Sequence, residues 1–199
     1  MVAPAKTLIY RPASIIERLD LAKLFAAPRP VELEIGSGDG SFLTEYARRH
    51  PELNLIGIER LLGRLRKIDK KGLRSGLDNL LLLRLEASYV LEYLLPLQSL
   101  QAIHIYFPDP WPKRRHRKNR LVNERFPISA AQALNSAGQI HLRTDDADYF
   151  AQMQSVFAAN PGFEPIPTPA ALLEIVTDFE RDFHARGIPT LHATYRKRA

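Results

Sequence analysis

The stretch of sequence that decides the fold covers residues 31–40 and reads VELEIGSGDG. Apolar residues alternate with acids from Val31 to Ile35, a pattern that predicts a β-strand. Three glycines then follow at every second position, and glycine permits both a tight turn and the close approach of the backbone to a ligand. We therefore expect a strand, a ligand-facing turn and a helix that begins at Gly40.

Short apolar runs continue to alternate with helical stretches along the rest of the chain, which predicts an α/β fold. We expect a doubly wound, mostly parallel, seven-stranded sheet with helices on both faces and an antiparallel last strand. The predicted strands are residues 31–35, 53–58, 80–85, 102–107, 139–143, 163–166 and 190–195. The predicted helices are residues 40–49, 61–71, 89–94, 128–135, 145–158 and 178–185.

The sequence also predicts how the chain is divided. Residues 1–30 are expected to form an N-terminal extension with a leading helix, and residues 31–199 a single domain. The leading helix should begin at Ser14, because Ser14 and Glu17 have the spacing of a capping box, and it should end at the prolines 28 and 30. A chain of 199 residues is long enough to bury one full core.

Composition excludes several classes of site. The chain has no cysteine, which excludes disulfides, thiolate metal sites and cysteine nucleophiles. Its six histidines are scattered, and His104 and His141 alternate with apolar residues, so we expect packed sheet positions and no metal site. No apolar run approaches the ~20 residues of a membrane span, and the start lacks a signal-peptide pattern. These features predict a cytoplasmic protein.

Positive charge is concentrated in one segment. The formal net charge is +6, and residues 113–120, which read KRRHRKNR, hold six positive charges and no acid. The rest of the chain is therefore neutral, which favours a specific site for a polyanion. Candidates for contacts with phosphates are Arg115, Arg117, Lys118 and Arg120. A solvated basic face is the alternative.

An acid stands at the position that a nucleoside site would need. Glu59 ends the second strand, 19 residues after Gly40, where a carboxylate can accept hydrogen bonds from ribose hydroxyls. The glycines follow a G-x-G-x-G pattern rather than the dinucleotide G-x-G-x-x-G, which suits a nucleoside without a pyrophosphate. Gly36 and Gly38 would lie against that ligand, and Glu34 would attract a positive charge on it. A surface turn with a strand-end acid is the alternative.

The fourth predicted strand runs into a proline-framed loop, residues 107–112, which reads FPDPWP. Ligands of doubly wound sheets bind beyond the carboxyl ends of the strands, and three prolines restrict the backbone of this loop. The loop would therefore hold Asp109 and Trp111 in place at a binding site. The alternatives are that Asp109 only forms a turn and that Trp111 only packs.

Residues 108–121, which read PDPWPKRRHRKNRL, resemble the signature of the tRNA (guanine-N7)-methyltransferase family. The glycine-rich turn is similar to the cofactor loop of the same family, and the resemblance runs from Val31 to the C-terminus. It implies a Rossmann-like methyltransferase fold, S-adenosylmethionine as the cofactor and tRNA as the partner. It also implies methyl transfer to N7 of the variable-loop guanine, position 46 of the tRNA.

The resemblance implies site residues as well. Cofactor contacts would come from Glu34, Glu59, Glu86 and Asp109, of which Asp109 would also be the catalytic residue. Substrate contacts would come from Lys113, Asp145, Thr177, Asp178, Phe179 and Glu180. The family usually has Asp where Glu86 stands, and often Lys or Glu where Asp178 stands. Helix capping is an additional or alternative role for Asp145, and for Thr177 with Glu180.

The implied chemistry is compatible with these residues. Guanine N7 has a free lone pair at pH 7, so the reaction does not need a base to remove a proton. Asp109 would stabilise the positive charge that moves onto the guanine or accept hydrogen bonds from its edge. The absence of cysteine disfavours C5 methylation of pyrimidines, and the basic run disfavours a small-molecule substrate. The alternatives are methylation of another RNA base and a non-catalytic RNA-binding domain of the same fold.

Overall fold

The computed structural model describes residues 6–198, and in that range no helix is long and apolar enough to cross a membrane. The strands are β1 (Ile9–Tyr10), β2 (Val31–Ile35), β3 (Asn54–Ile58), β4 (Leu80–Leu83), β5 (Leu100–Tyr106), β6 (Leu134–Thr144), β7 (Phe163–Ile166) and β8 (Leu191–Lys197). The α-helices are α1 (Leu21–Leu24), α2 (Ser41–Arg49), α3 (Leu62–Arg74), α4 (Ala87–Tyr89), α5 (Phe126–Ala133), α6 (Ala147–Ala158), α7 (Ala170–Leu173) and α8 (Asp178–Ala185). A π-helical turn (Val90–Leu94) continues α4, and a 3₁₀ helix covers Arg114–Asn119.

The strands form one sheet in the order β1-β4-β3-β2-β5-β6-β8-β7. β8 runs antiparallel to both of its neighbours, and the other pairs are parallel. The predicted mostly parallel sheet with an antiparallel last strand is confirmed. The sheet has eight strands instead of seven, because Ile9 and Tyr10 pair with Leu82 and Leu83. A two-residue strand is too short to show a periodic pattern in the sequence.

The predicted leading helix is much shorter than expected, because only α1 (Leu21–Leu24) forms in this segment. The hydroxyl oxygen of Ser14 accepts hydrogen bonds from the backbone N–H groups of Ile16 and Glu17, both at 3.3 Å, but the residues directly after Ser14 are not helical. The backbone N–H of Leu19 instead donates to the carbonyl oxygen of Leu94 at 2.7 Å. A tertiary hydrogen bond to the end of the π-helical turn thus takes the place of the local bonds of a helix.

Hydrophobic cores lie on both faces of the sheet. All five residues of β2 are buried, as expected of a central parallel strand covered on both sides. Leu55 and Leu82 pack with Phe42 of α2 on one face. Leu33 and Phe157 belong to the larger cluster on the other face.

A buried polar network lies between β2, β5 and α2. The Nε2 atom of His104 lies 2.8 Å from Oε2 of Glu32, and its Nδ1 atom lies 2.9 Å from the hydroxyl oxygen of Tyr106. His141 stacks on His104 with ring centroids 5.0 Å apart, and burial lowers the pKa of His141. The prediction that both histidines occupy packed sheet positions is confirmed.

The strand order reverses between β2 and β5. From β2 the chain continues outward through β3 and β4 on one side, and β5 and β6 lie on the other. Such a switch point leaves a crevice beyond the carboxyl ends of the two adjacent strands, where doubly wound sheets bind their ligands.

Candidate active site

A cavity of about 620 Å³ occupies this crevice. It is lined by the ends of β2, β3 and β5 and by the segments that follow β4 and β5, which contribute Gly36, Glu59, Glu86 and Asp109. Its volume is in the range of small-molecule sites. Residues from four predicted segments therefore meet at one ligand-sized cavity.

The turn after β2 folds as the sequence predicts, and two glycines explain why. Gly36 and Gly40 both have a φ of 77°, which is a strained conformation for a residue with a Cβ atom. A Cβ atom on Gly40 would lie 2.9 Å from Ile68 of α3, so this glycine lets α2 begin close against α3. A Cβ atom on Gly36 would meet no protein atom within 4 Å. The backbone at Gly36 thus faces open space in the cavity.

The carboxylate of Glu59 is fixed in place by the backbone. Its Oε2 atom accepts a hydrogen bond from the N–H of Gly38 at 3.1 Å, and its Oε1 atom accepts one from the N–H of Leu61 at 2.7 Å. Each carboxylate oxygen can accept a further hydrogen bond. Glu59 therefore presents an oriented acceptor to the cavity, whereas Gly38 supports Glu59 and does not itself line the cavity.

Glu34 lies beneath the glycine turn, and its environment differs from the prediction. The side chain is buried, and its Oε2 atom has no hydrogen-bond partner. Burial raises the pKa of Glu34 from 4.5 to about 8, because desolvation disfavours the ionised form. Burial thus favours the neutral form of Glu34, and its expected contact with a cationic ligand stays a prediction.

Glu86 stands exposed at the rim of the cavity. Its Oε2 atom accepts a hydrogen bond from the backbone N–H of Tyr89 at 2.9 Å, which makes it the N-cap of α4. Capping satisfies one of the free N–H groups at the start of a helix. The cap also fixes the direction of the carboxylate at the cavity rim.

The loop after β5 places Asp109 at the cavity between two residues with unusual backbone conformations. Phe107 has a φ of 51° and Trp111 a φ of 45°. Non-glycine residues in this region cost about 1–3 kcal/mol each and persist only where the surroundings hold them. Two bonds hold this loop: the N–H of Phe107 donates to the carbonyl of Arg143 at 2.9 Å, and Nε of Arg120 donates to the carbonyl of Pro110 at 2.7 Å.

Arg120 does not have the role in phosphate binding that the sequence predicted. Its side chain is only 1% exposed, although it was expected to contact a phosphate. The guanidinium also donates to Asp148 at 2.6 Å and to Gln152 at 2.7 Å, and it lies 4.7 Å from the centroid of the Tyr149 ring. Arg120 therefore ties the loop to α6 and is not available to RNA.

The other basic residues of the run stay at the surface. Lys113, Arg115 and Lys118 are exposed, and Lys118 also lines the cavity. Arg117 is exposed but donates to Oδ1 of Asp148 at 2.9 Å, so part of its charge is already neutralised. Hydrogen bonds from Arg120 and the charge of Arg117 lower the pKa of Asp148.

The segment before α8 contains the predicted capping box. The hydroxyl of Thr177 accepts from the N–H of Glu180 at 3.1 Å, and the carboxylate of Glu180 accepts from the N–H of Thr177 at 2.8 Å. Both residues are buried, and Glu180 also accepts from Arg143 at 2.9 Å. Their side chains are thus engaged in the fold, and substrate contacts by these two side chains are not supported.

Asp178 and Phe179 are exposed on the same segment. A Cβ atom on Gly38 would lie 3.7 Å from Cε2 of Phe179, and the ring of Phe179 lies 6.4 Å from that of Phe107. Phe179 therefore stands beside both the glycine turn and the loop that carries Asp109.

Asp145 follows β6 and is half-buried. It is not the cap of α6, because Asp146 accepts the hydrogen bond from the N–H of Tyr149, at 2.7 Å. Asp145, Lys113 and the segment 177–180 are not among the residues that line the cavity. The structure thus does not bring these predicted substrate residues into the cavity itself.

Two residues with evident roles were missed by the sequence reasoning. Arg60 lines the cavity, as does Arg64 of α3, and the signal for Arg60 was its position directly after Glu59. Asp148 pairs with Arg120 from another helix, and no local pattern connects two residues so far apart in sequence. Within residues 6–198, no group of three or more His, Cys, Asp or Glu side chains is placed to hold a metal ion.

A mostly parallel sheet with an antiparallel last strand, and a glycine turn and an acid at its switch point, define a Rossmann-like methyltransferase. The 16S rRNA methyltransferase KamB has the same fold: 92% of this chain superposes on 95% of KamB with a TM-score of 0.67 and 18% sequence identity. A family described as "Putative methyltransferase" matches residues 28–193.

Curated relatives narrow the class to one family. The tRNA (guanine-N(7)-)-methyltransferase of Syntrophotalea carbinolica is 35% identical over 100% of this chain and 87% of its own length. The enzyme of that name from Alkalilimnicola ehrlichii is 36% identical over 98% of this chain and 83% of its own length. The chain belongs to the tRNA (guanine-N(7)-)-methyltransferase family.

Proposed function

We propose that this protein transfers a methyl group from S-adenosylmethionine to N7 of a guanine in tRNA, at the variable-loop position 46. The observation that carries the proposal is that Asp109 and Glu59 line the same cavity, with the exposed basic run beginning four residues after Asp109. The curated relatives named above support guanine N7 as the methylated atom and tRNA as the substrate. We also propose a cytoplasmic location, which a tRNA substrate supports.

The residues of the cavity fit the cofactor. Glu59 has free acceptor positions for ribose hydroxyls, and the open space beside Gly36 lets a ligand approach the backbone. Glu86 would hold the ligand at the cavity rim, and Glu34 would support the turn from beneath. When bound, S-adenosylmethionine supplies a methyl group activated by its sulfonium.

The chain's own contribution to the reaction is orientation and electrostatics. N7 needs no deprotonation, so the chain has to hold the guanine in line with the methyl group. Asp109 accepts hydrogen bonds from the guanine edge and stabilises the positive charge that the base acquires. Its loop is held by Arg120 and by the bond from Phe107 to Arg143, so this acceptor is preorganised.

The RNA contacts follow from the exposed residues around the cavity. Lys113, Arg115 and Lys118 would bind phosphates next to the target nucleotide, and Arg117 would do so in exchange for its bond to Asp148. Phe179 offers an exposed ring on which a base can stack. Asp178 and Asp145 would lie near the same nucleotide.

The test is methyl transfer from labelled cofactor to unmodified tRNA, followed by nucleoside analysis. We expect label in 7-methylguanosine with the natural protein and a loss of about 10²-fold or more in single-turnover rate with Asp109→Ala. Label in another nucleoside would show that the protein methylates a different base. No label at all would favour the alternative of a non-catalytic RNA-binding domain.

A further inference from the structure

Helix α3 buries one side and exposes a basic one. Leu65, Ile68 and Gly72 are buried against the rest of the protein. The exposed positions of the same helix are almost all cationic: Arg64, Arg66, Lys67, Lys70, Lys71 and Arg74. The chain as a whole is neutral outside residues 113–120, but this helix is a second concentration of positive charge.

The cations of α3 are not ion-paired in the described part of the chain. None of the six side chains forms an ion pair within residues 6–198. The acid of the helix, Asp69, accepts hydrogen bonds from the hydroxyl of Thr7 at 3.1 Å and from the N–H of Leu8 at 2.7 Å. By contrast, Glu45 on α2 is paired with both Arg48 and Arg49.

Four of these cations lie in line. Arg64, Lys67, Lys71 and Arg74 follow each other at intervals of three and four residues, which places them on one side of a helix. At a rise of about 1.5 Å per residue, this α3 stripe extends over roughly 15 Å. Arg64 lines the cavity, so the stripe begins at the active site and leads away from it.

A solvated face is a weak explanation for this stripe. Like charges three and four residues apart repel one another and destabilise a helix, and in residues 6–198 no acid is within ion-pairing distance of these side chains. A row of phosphates would compensate for them, because each phosphate of an RNA strand carries one negative charge.

We propose that the α3 stripe binds the ribose–phosphate backbone of tRNA outside the target nucleotide, as a second contact separate from the basic run at 113–120. The inference rests on the proposed function, which supplies the RNA. Arg60 and Arg64 on one segment and Lys118 on another line the same cavity. An RNA strand that enters the cavity would pass between the two basic segments.

The test replaces Lys67, Lys71 and Arg74 together by glutamine and leaves Arg64 unchanged because it lines the cavity. The control replaces Lys23, Arg196 and Arg198, which are paired with acids, and loses the same charge. The affinity for full-length tRNA is measured over a salt series. We expect the α3 variant to bind more weakly and its salt slope to flatten by about two to three units, at 0.7–0.9 per contact, and the control to keep the slope of the natural protein.

Two further measurements separate the outcomes. A short RNA fragment that carries only the target nucleotide and its neighbours should bind equally well to the α3 variant and the natural protein, because it does not reach the stripe. Equal salt slopes with full-length tRNA, or an equal loss in the control, would overturn the inference while the natural protein still methylates tRNA. Failure of the natural protein to methylate tRNA would instead overturn the proposed function.

Discussion

The buried guanidinium of Arg120 donates a hydrogen bond to the carbonyl oxygen of Pro110, one residue after Asp109, at 2.7 Å. The same guanidinium is paired with Asp148 on α6. The last cation of the basic run therefore anchors the loop of the proposed reaction centre. One segment thus has two roles, since its exposed cations face solvent while Arg120 holds the loop in its strained conformation.

Arg120→Ala should destabilise the protein by about 1.5–3 kcal/mol, the range for hydrogen bonds to charged groups, and should slow methyl transfer because the Asp109 loop loses its anchor. Urea unfolding and single-turnover rates at saturating tRNA measure the two effects. Asp148→Asn is the control, because it weakens the ion pair but leaves the bond to Pro110. A variant that is fully stable but has a flatter salt slope for tRNA would show that Arg120 contacts a phosphate after all.

Glu59→Ala should weaken cofactor binding by about 1.5–3 kcal/mol, because it removes acceptors held towards the cavity by two backbone bonds. Calorimetry with S-adenosylhomocysteine measures the change without turnover. Glu52→Ala, an exposed acid at the other end of β3, should leave the affinity unchanged. If Glu59→Ala binds S-adenosylhomocysteine as tightly as the natural protein, Glu59 does not contact the cofactor.

Glu34 should make stability depend on pH. The pKa of Glu34 is about 8 in the fold and 4.5 without burial, so the folded protein keeps a proton that the unfolded chain has already released. The resulting stabilisation is present below about pH 4.5 and is lost as the pH rises through about 8, at up to about 1.4 kcal/mol per pH unit.

Glu34→Gln cannot ionise and should not show this loss. Urea unfolding of both proteins at about pH 6 and about pH 8 compares them. The natural protein should lose more stability than Glu34→Gln over this interval. Equal losses would mean that Glu34 is already ionised in the folded protein.

The basic run should contribute to tRNA binding through its exposed residues. Replacing Lys113, Arg114 and Arg115 together by alanine should weaken tRNA binding and flatten the salt slope by about two to three units, and these three exposed residues do not line the cavity. Arg117→Ala alone should have a smaller effect, because Asp148 already neutralises part of its charge. Cofactor affinity serves as the control. Parallel salt slopes for the triple variant and the natural protein would show that the basic run is only a solvated face and does not bind tRNA.

The sequence by itself determined the local elements around the site. The alternation from Val31 to Ile35 and the glycines after it encode β2, the turn and α2, because each step depends on neighbouring residues. The capping box of Thr177 and Glu180 is local in the same way, since its two bonds join residues three apart.

Only the tertiary structure decided which side chains are free to bind a ligand and which are engaged in the fold. Arg120 became an anchor because Asp148, 28 residues away, lies beside it, and no periodicity in the sequence records that pairing. The residues after Ser14 did not form the expected helix, because Leu19 is bonded to Leu94. Glu34 was predicted as a negative charge, but burial beneath the turn favours its neutral form. Periodicity and local caps are set by neighbours in sequence, whereas desolvation and ion pairing are set by neighbours in space.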